Sequence, residues 1–189
     1  SVDITAGDSV SIHGLLEALD DEADVALTAG GLVRLNGFVF AADALEIHGG
    51  ASSTGVSVYL NEFIFQPVGG VPVRIAGGTI TTGTGGSIAV TGTEAILLNG
   101  IAGQTRIAGG VSVANVASLS ASTAGDIFVG GVIDVARNLD LRGTNVSVLD
   151  AGRVTVRQTQ GQTQLLAGDG SILVMTGGAT PLEGLPGET

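Results

Sequence analysis

A chain of 189 residues is long enough to bury one sizeable core, and this one draws on an unusual alphabet: 32 glycines, 44% hydrophobic residues, 3% aromatics, one Met and no Trp. Seven arginines, no lysine and 18 acidic residues leave a net charge of -11, which makes nucleic acid and anionic lipid poor partners and favours cations or a basic protein. The absence of cysteine excludes disulfides and thiolate metal sites, and no apolar run approaches the roughly 20 residues needed for membrane insertion.

The chain opens on strand-like Ser1–Thr5 without a Met, a basic region or a signal-like apolar stretch. That is the beginning expected of a mature product or of a segment cut from something longer. From there one small unit recurs: apolar, variable, apolar, then a glycine or polar corner. Val2–Ile4, Val10–Ile12, Val25–Leu27, Val33–Leu35, Leu45–Ile47 and Val56–Val58 carry it through the first third. Val73–Ile75, Ile88–Val90, Ile96–Leu98 and Val111–Val113 continue it. Ile127–Val129, Ile133–Val135, Leu139–Leu141, Val146–Val148, Val154–Val156 and Ile172–Val174 complete it. Period two over so short a distance predicts strands with one buried and one exposed face.

A hairpin meander would also give short strands, but it favours longer ones joined by two-residue turns. Asn36-Gly37 and Asn99-Gly100 suit such turns, whereas most corners read Ala-Gly-Gly, Thr-Gly, His-Gly or Arg-Gly. A second repeat places Ala-Gly corners at Ala29-Gly30-Gly31, Ala76-Gly77-Gly78 and Ala108-Gly109-Gly110, after the similar strings Val25–Thr28, Val73–Ile75 and Thr105–Ile107. Each strand then forms one wall of a coil and each corner turns the chain toward the next wall. The expected fold is all-β, a parallel β-solenoid, in which neighbouring coils bury what one coil cannot. Coils of about 20–30 residues give about six to nine turns and a rod of about 30–45 Å at the usual strand spacing.

Two stretches break the pattern. Leu15–Asp24 places Leu15, Leu16 and Leu19 on one face of two helical turns, and is expected to protrude from the rod or lie over its flank as a loop at 15–24. Residues 181–189, with two prolines and two glycines, read as a loose tail or linker after a single solenoid domain over 1–180. Neither end carries an amphipathic cap. Open coil ends invite edge pairing, so neighbouring solenoid segments or identical subunits are the expected partners.

Chemistry is sparse. The acidic cluster Glu17, Asp20, Asp21, Glu22 and Asp24 offers close-set oxygens that could hold calcium, but it lacks the spacing of an EF-hand or of calcium-binding nonapeptides. A solvated loop is the plainer reading; no other metal or cofactor is implied. His13 and His48 share the context Ile-His-Gly and would approach one another if their coils stack, yet two imidazoles without a third ligand make a poor zinc site. Arg34, Arg74 and Arg106 occupy the middle of inward-pointing triplets and should face solvent, as should Glu46, Asp134 and Asp140, which suggests cross-coil ion pairs of little individual worth. Asp126, Asp134, Asp140, Asp150 and Asp169 are numerous enough for a carbohydrate-cleaving site but scattered. Gly83-Thr84-Gly85-Gly86 lacks the Lys-Ser/Thr of a P-loop and reads as a flexible corner. Phe38/Phe40 and Phe63/Phe65 alternate as walls of the tube would, with Tyr59 and Phe128 the remaining aromatics; core packing is the default, and a contact strip the alternative.

The strings Asp24–Gly31, Ala44–Gly50, Val73–Gly78, Ser87–Gly92, Val146–Gly152 and Ser171–Gly178 resemble the repeats of filamentous haemagglutinin-like, haemagglutination-activity surface exoproteins of bacteria. The resemblance covers most of residues 1–178 and is one of repeat texture; no secretion domain of those proteins is visible. It implies a right-handed parallel β-helix, an extracellular or outer-surface location, and a non-enzymatic rod or stalk that displays or spaces adhesive regions toward a host or cell-surface protein or carbohydrate. Two other functions compete. One is a self-assembling filament or sheath subunit joined end to end; the other is a polysaccharide-active β-helix domain.

Overall fold

In the computed structural model, residues 1–61, 63–68, 71–76, 78–103, 106–107, 111–112, 116–149, 152–156, 163–167 and 172–174 are described; strands 63–68, 71–76, 106–107, 111–112, 163–167 and 172–174 are described by backbone and pairing. The apolar triplets form short strands in a repeating order. Coil 1 contains β1 (Val2–Ala6), β2 (Val10–Ile12) and β3 (Leu15–Ala18); coil 2 contains β4 (Val25–Ala29), β5 (Val33–Leu35) and β6 (Phe38–Ala41). Coil 3 runs β7 (Ala44–Gly49), β8 (Val56–Leu60), then an excursion β9 (Phe63–Val68) and β10 (Val71–Ala76), before β11 (Thr79–Thr82). Coil 4 has β12 (Ser87–Gly92), β13 (Ala95–Leu98) and β14 (Ile101–Gly103), followed by a second excursion, β15 (Arg106–Ile107) and β16 (Val111–Ser112). Coil 5 is β17 (Ser118–Thr123), β18 (Ile127–Val129) and β19 (Val132–Val135), and coil 6 is β20 (Asn138–Gly143), β21 (Val146–Val148) and β22 (Arg153–Val156). β23 (Thr163–Ala167) and β24 (Ile172–Val174) begin a seventh.

Each position in the coil stacks on its equivalent. Wall A is β1-β4-β7-β12-β17-β20-β23, wall B is β2-β5-β8-β13-β18-β21-β24 and wall C is β3-β6-β11-β14-β19-β22. Pairing within each wall is parallel, with register such as Val25↔Leu45 and Leu119↔Leu139, each one coil of 20 residues apart. The fold is thus a right-handed parallel β-helix, the hand that parallel crossovers favour. Seven strands in wall A span about 30 Å along the axis at the usual spacing.

The interior is dry and aliphatic. Leu27, Leu35, Leu45, Ile47, Leu60, Ile80, Ile96, Leu98, Ile127 and Ile133 are all fully buried. Each alternates with an outward residue, as in Val33-Arg34-Leu35 and Ile127-Phe128-Val129. Stacked coils bury what one could not, and each such side chain contributes roughly 1.5–3 kcal/mol.

The glycines build the corners. At the turn from wall B to wall C, Asn36-Gly37 and Asn99-Gly100 do not close hairpins; they stack in a column through successive coils. The amides of Asn36, Asn61 and Asn99 donate to the carbonyls of Ile12, Leu35 and Leu60, and the amides of Thr79, Ile101 and Val132 donate to those of Gly37, Gly78 and Gly100. Coils approach so closely here that a Cβ on Gly100 would collide with the Gly78 carbonyl oxygen, and one on Gly131 with that of Gly100. Only glycine permits that approach.

Three expectations are corrected. Leu15–Ala18 is not helical and does not protrude: it is strand β3, in register with β6 through Leu16↔Val39 and Ala18↔Ala41. Its leucines reflect wall alternation, with Leu15 65% exposed and Leu16 turned inward against the core. Asp20–Ala23 is a tight turn, closed by the Ala23 amide on the Asp20 carbonyl with Glu22 at φ 64°. The triplet Val73–Ile75, and Val111 and Ser112 of the triplet Val111–Val113, are not in walls. Val73–Ile75 lies in β10, antiparallel to β9, and Val111 opens β16, antiparallel to β15. The tail expected at 181–189 lies outside the described residues.

Candidate functional site

The three outer faces carry whatever chemistry the solenoid offers. Wall A presents Asp3 and Thr5, Ala26 and Thr28, Glu46 and His48, Ala89 and Thr91, Ser120 and Ser122, then Asp140 and Arg142, in successive coils. Small residues on either side of Glu46 and His48 leave a shallow recess of about 260 Å³ lined by Ala26, Thr28, Glu46, His48, Ala89 and Thr91. His48 Nδ1 lies 2.8 Å from Thr91 Oγ1. Its location corrects the expectation that the two histidines meet. His13 stands at the B–C corner, where its Nδ1 accepts from Asn36 Nδ2 at 3.1 Å.

Wall B presents Ser11, Arg34, Tyr59, Leu97, Phe128 and Ser147 in one column. The Arg34 guanidinium lies 5.7 Å from the Tyr59 ring centroid, a cation–π contact on the surface. Arg74 and Arg106, expected like Arg34 at the centres of wall triplets, instead belong to the excursions, opposite Phe65 and Ser112.

Wall C presents Leu15 and Glu17, Phe38 and Phe40, Thr79 and Thr81, Ile101 and Gly103, Val132 and Asp134, then Arg153 and Thr155. Phe38 and Phe40 are therefore outside the tube rather than in its core, because Val39 and Ala41 take the inward places at 0% exposure. Tyr59 and Phe128 face outward likewise. Phe63 and Phe65 lie in β9, off the solenoid wall.

The acidic turn is put to structural use. Asp24 Oδ1 accepts the Ala44 amide at 3.1 Å, tying coil 2 to coil 3. Glu17 stands on the outer face of wall C, while Asp20, Asp21 and Glu22 are exposed on the turn. Among the described residues no three His, Asp or Glu side chains gather to hold a metal ion. The carboxylates suggested for sugar chemistry are spread over the molecule. Asp126 caps the A–B corner, accepting from the Asn145 amide at 3.1 Å and Asn145 Nδ2 at 2.8 Å. Asp134 is on wall C and Asp140 on wall A, while Asp150 and Asp169 lie outside the described residues. Asp140 meets Arg142 of its own strand at 2.6 Å; the hydrogen bond, then the charge of Asp140, holds that guanidinium's pKa above its ordinary value. This pair does not bridge coils. The Gly83-Thr84-Gly85-Gly86 stretch is a C–A corner in which Gly85 adopts φ 91° and a Cβ on Gly83 would strike the Ala42 carbonyl.

A network that composition did not signal lies at the A–B corner. Ser57 is a bulged residue between Val56↔Ala95 and Val58↔Ile96, and it is fully buried. Its hydroxyl donates to the Gly50 carbonyl at 2.7 Å and accepts the amides of Thr93 and Glu94 at 3.1 and 2.8 Å. Glu94 returns a carboxylate oxygen to the Ser52 amide at 2.7 Å. The only sequence signal was a serine at an apolar-triplet centre. No helix among the described residues is long and apolar enough to cross a membrane.

Comparison with known proteins gives no match: no family model, no curated protein and no solved structure corresponds to this chain. The solenoid itself agrees with repeat-rich surface proteins in general.

Proposed function

We propose that the chain is a non-enzymatic rod or stalk segment of a bacterial surface or secreted adhesin-like protein, acting outside the cell. The observation that carries this reading is the division of labour in the fold. The aliphatic core runs through successive coils, whereas arginines, histidines and carboxylates are distributed over different walls and corners. Such a body holds shape and spacing well and gathers few groups for bond making. The resemblance to filamentous haemagglutinin-like repeats supports the extracellular setting and a protein or carbohydrate counterpart on another cell.

Antibody labelling of intact cells of the source organism, with protease shaving as a second readout, tests the location. Surface signal lost on shaving is expected; signal only after lysis overturns the proposal. A filament subunit is the second reading, favoured by the exposed apolar side chains of Leu15 and Leu19. Small-angle scattering across a concentration series separates the two. A constant particle size supports the stalk, and growth into long uniform filaments favours end-to-end strand addition.

A further inference from the structure

The outer face of wall C is dry where an outer face should be wet. On wall A, Glu46, His48 and Thr91 of coils 3 and 4 are exposed. On wall C, in the same coils, Thr79 and Thr81 are 0% exposed and Ile101 is 9% exposed, with Phe38 and Phe40 of coil 2 half-buried beside them. These residues alternate with the inward Val39, Ile80 and Ala102, so they stand outside the tube and a second layer must lie over them. Among the described residues the hydroxyls of Thr79 and Thr81 find no hydrogen-bond partner, which suits an apolar covering. The covering is local: Leu15 of coil 1 and Arg153 of coil 6 are exposed on the same wall.

Both excursions join wall C beside this patch. The β9–β10 hairpin returns at Gly78, immediately before Thr79, and the β15–β16 hairpin leaves after Gly103 at the end of β14. The first has the matching sequence. Its register puts Ile64 opposite Ile75 and Val68 opposite Val71 on one face, and Phe63 opposite Ala76, Phe65 opposite Arg74 and Pro67 opposite Pro72 on the other. Both faces are largely apolar, and a lone two-stranded hairpin is marginal in water. It needs a surface to lie on.

Its boundaries are those of a module. Asn61 and Gly78 occupy the same places in the B–C corner column as Asn36-Gly37 and Asn99-Gly100, with the same backbone hydrogen bonds to the coils before and after. The hairpin is spliced between the two residues of an Asn-Gly corner. Deleting residues 62–77 therefore regenerates a dipeptide that the solenoid already uses at two neighbouring corners.

We infer that the outer face of wall C across coils 2–4 is an interaction surface whose occupant is this chain's own β9–β10 hairpin, a module the solenoid can shed while keeping its coils. This goes beyond the stalk reading and stands independently of it. Undocking would uncover Phe38, Phe40, Thr79, Thr81 and Ile101 as one strip.

The chain has no cysteine, so Thr81→Cys introduces a single reporter thiol. In the full chain its reaction with a maleimide should be slowed on the order of 100-fold against the denatured protein, and in the 62–77 deletion it should approach the denatured rate. The far-UV β-spectrum per residue should be retained. A second variant keeps the chain length and replaces Phe63, Ile64, Phe65 and Ile75 by Thr; it should also release the thiol. Persistent protection in folded deletion protein overturns the inference and assigns the cover to another segment, as does rapid reaction in the full chain. Loss of the β-spectrum in both variants overturns it too. A folded replacement variant with a reactive thiol upholds the docking even if the deletion fails to fold.

Discussion

Ser57→Ala tests the idea that corners, as much as the core, hold the coils in register. The substitution removes one hydroxyl from a site with 0% exposure. Three backbone groups depend on that hydroxyl: the buried Gly50 carbonyl, and the part-buried amides of Thr93 and Glu94. A typical hydrogen bond contributes about 0.5–1.5 kcal/mol net, and stranding a buried group costs about 1–3 kcal/mol. Taking about 1–1.5 kcal/mol for the buried carbonyl and about half to one for each of the two amides that water can partly reach, the loss should be about 2–3.5 kcal/mol. Guanidinium unfolding followed by circular dichroism would read it as a lower midpoint with unchanged slope. Native-state hydrogen exchange adds the location, since Thr93 and Glu94 amides should lose protection before the wall strands do. A loss below about 0.5 kcal/mol, or unchanged protection at both amides, would refute the assignment of Ser57 as the corner's hydrogen-bond hub.

Other perturbations probe different parts of the same structure. Gly100→Ala drives a methyl into the Gly78 carbonyl and should cost about 3 kcal/mol or more in thermal unfolding, because backbone rather than a side chain has to yield. Thr79→Val with Thr81→Val removes two buried hydroxyls that have no partner among the described residues, at constant volume, and should raise stability by about 1–2 kcal/mol; a fall in the melting temperature would show that the hydroxyls have partners. Arg142→Ala removes an exposed pair within one strand and should leave the melting curve unchanged at high and low salt. The sign of its pKa shift agrees. A raised guanidinium pKa contributes fully at every pH below the ordinary arginine value, so the arginine should add no pH dependence near neutrality, which melting at pH 6 and pH 9 would check.

The walls were legible because alternation over three residues is what a strand with one dry face requires, and the core positions of β2, β4, β5, β7, β13, β18, β20 and β21 coincide with the apolar ends of those triplets. What period two does not encode is the direction of the neighbouring strand. Val73-Arg74-Ile75 and Val33-Arg34-Leu35 look alike as strings, yet one pairs antiparallel within a hairpin and the other parallel within a wall. It also does not fix which of two apolar faces is the inner one: Phe38-Val39-Phe40-Ala41 is apolar throughout, and the smaller pair went inside while the aromatic pair went out. For β3, leucines at helical spacing were outweighed by pairing with β6, which a single segment read alone does not reveal.

The corners carried the missing information. A triplet followed by Asn-Gly, as after Val33–Leu35 and Ile96–Leu98, turns directly into wall C. Val58-Tyr59-Leu60 is followed by Asn61, but its glycine is delayed to Gly78, and the residues between them form the antiparallel pair. In coil 3 the separation of Asn61 from Gly78 therefore marks where the chain leaves the solenoid and why Val73–Ile75 should be left out of the coil count, whereas the second excursion leaves from the end of β14, after an intact Asn99-Gly100. The same accounting explains why the functional residues were hard to read. In a solenoid, positions close in space lie one coil apart, from 20 residues between Glu46 and Ala26 to 43 between His48 and Thr91. An excursion changes that interval. Pairing His13 with His48 by their shared Ile-His-Gly context fails for this reason: similar local strings occupy different walls, and the register through the corners decides which side chains meet.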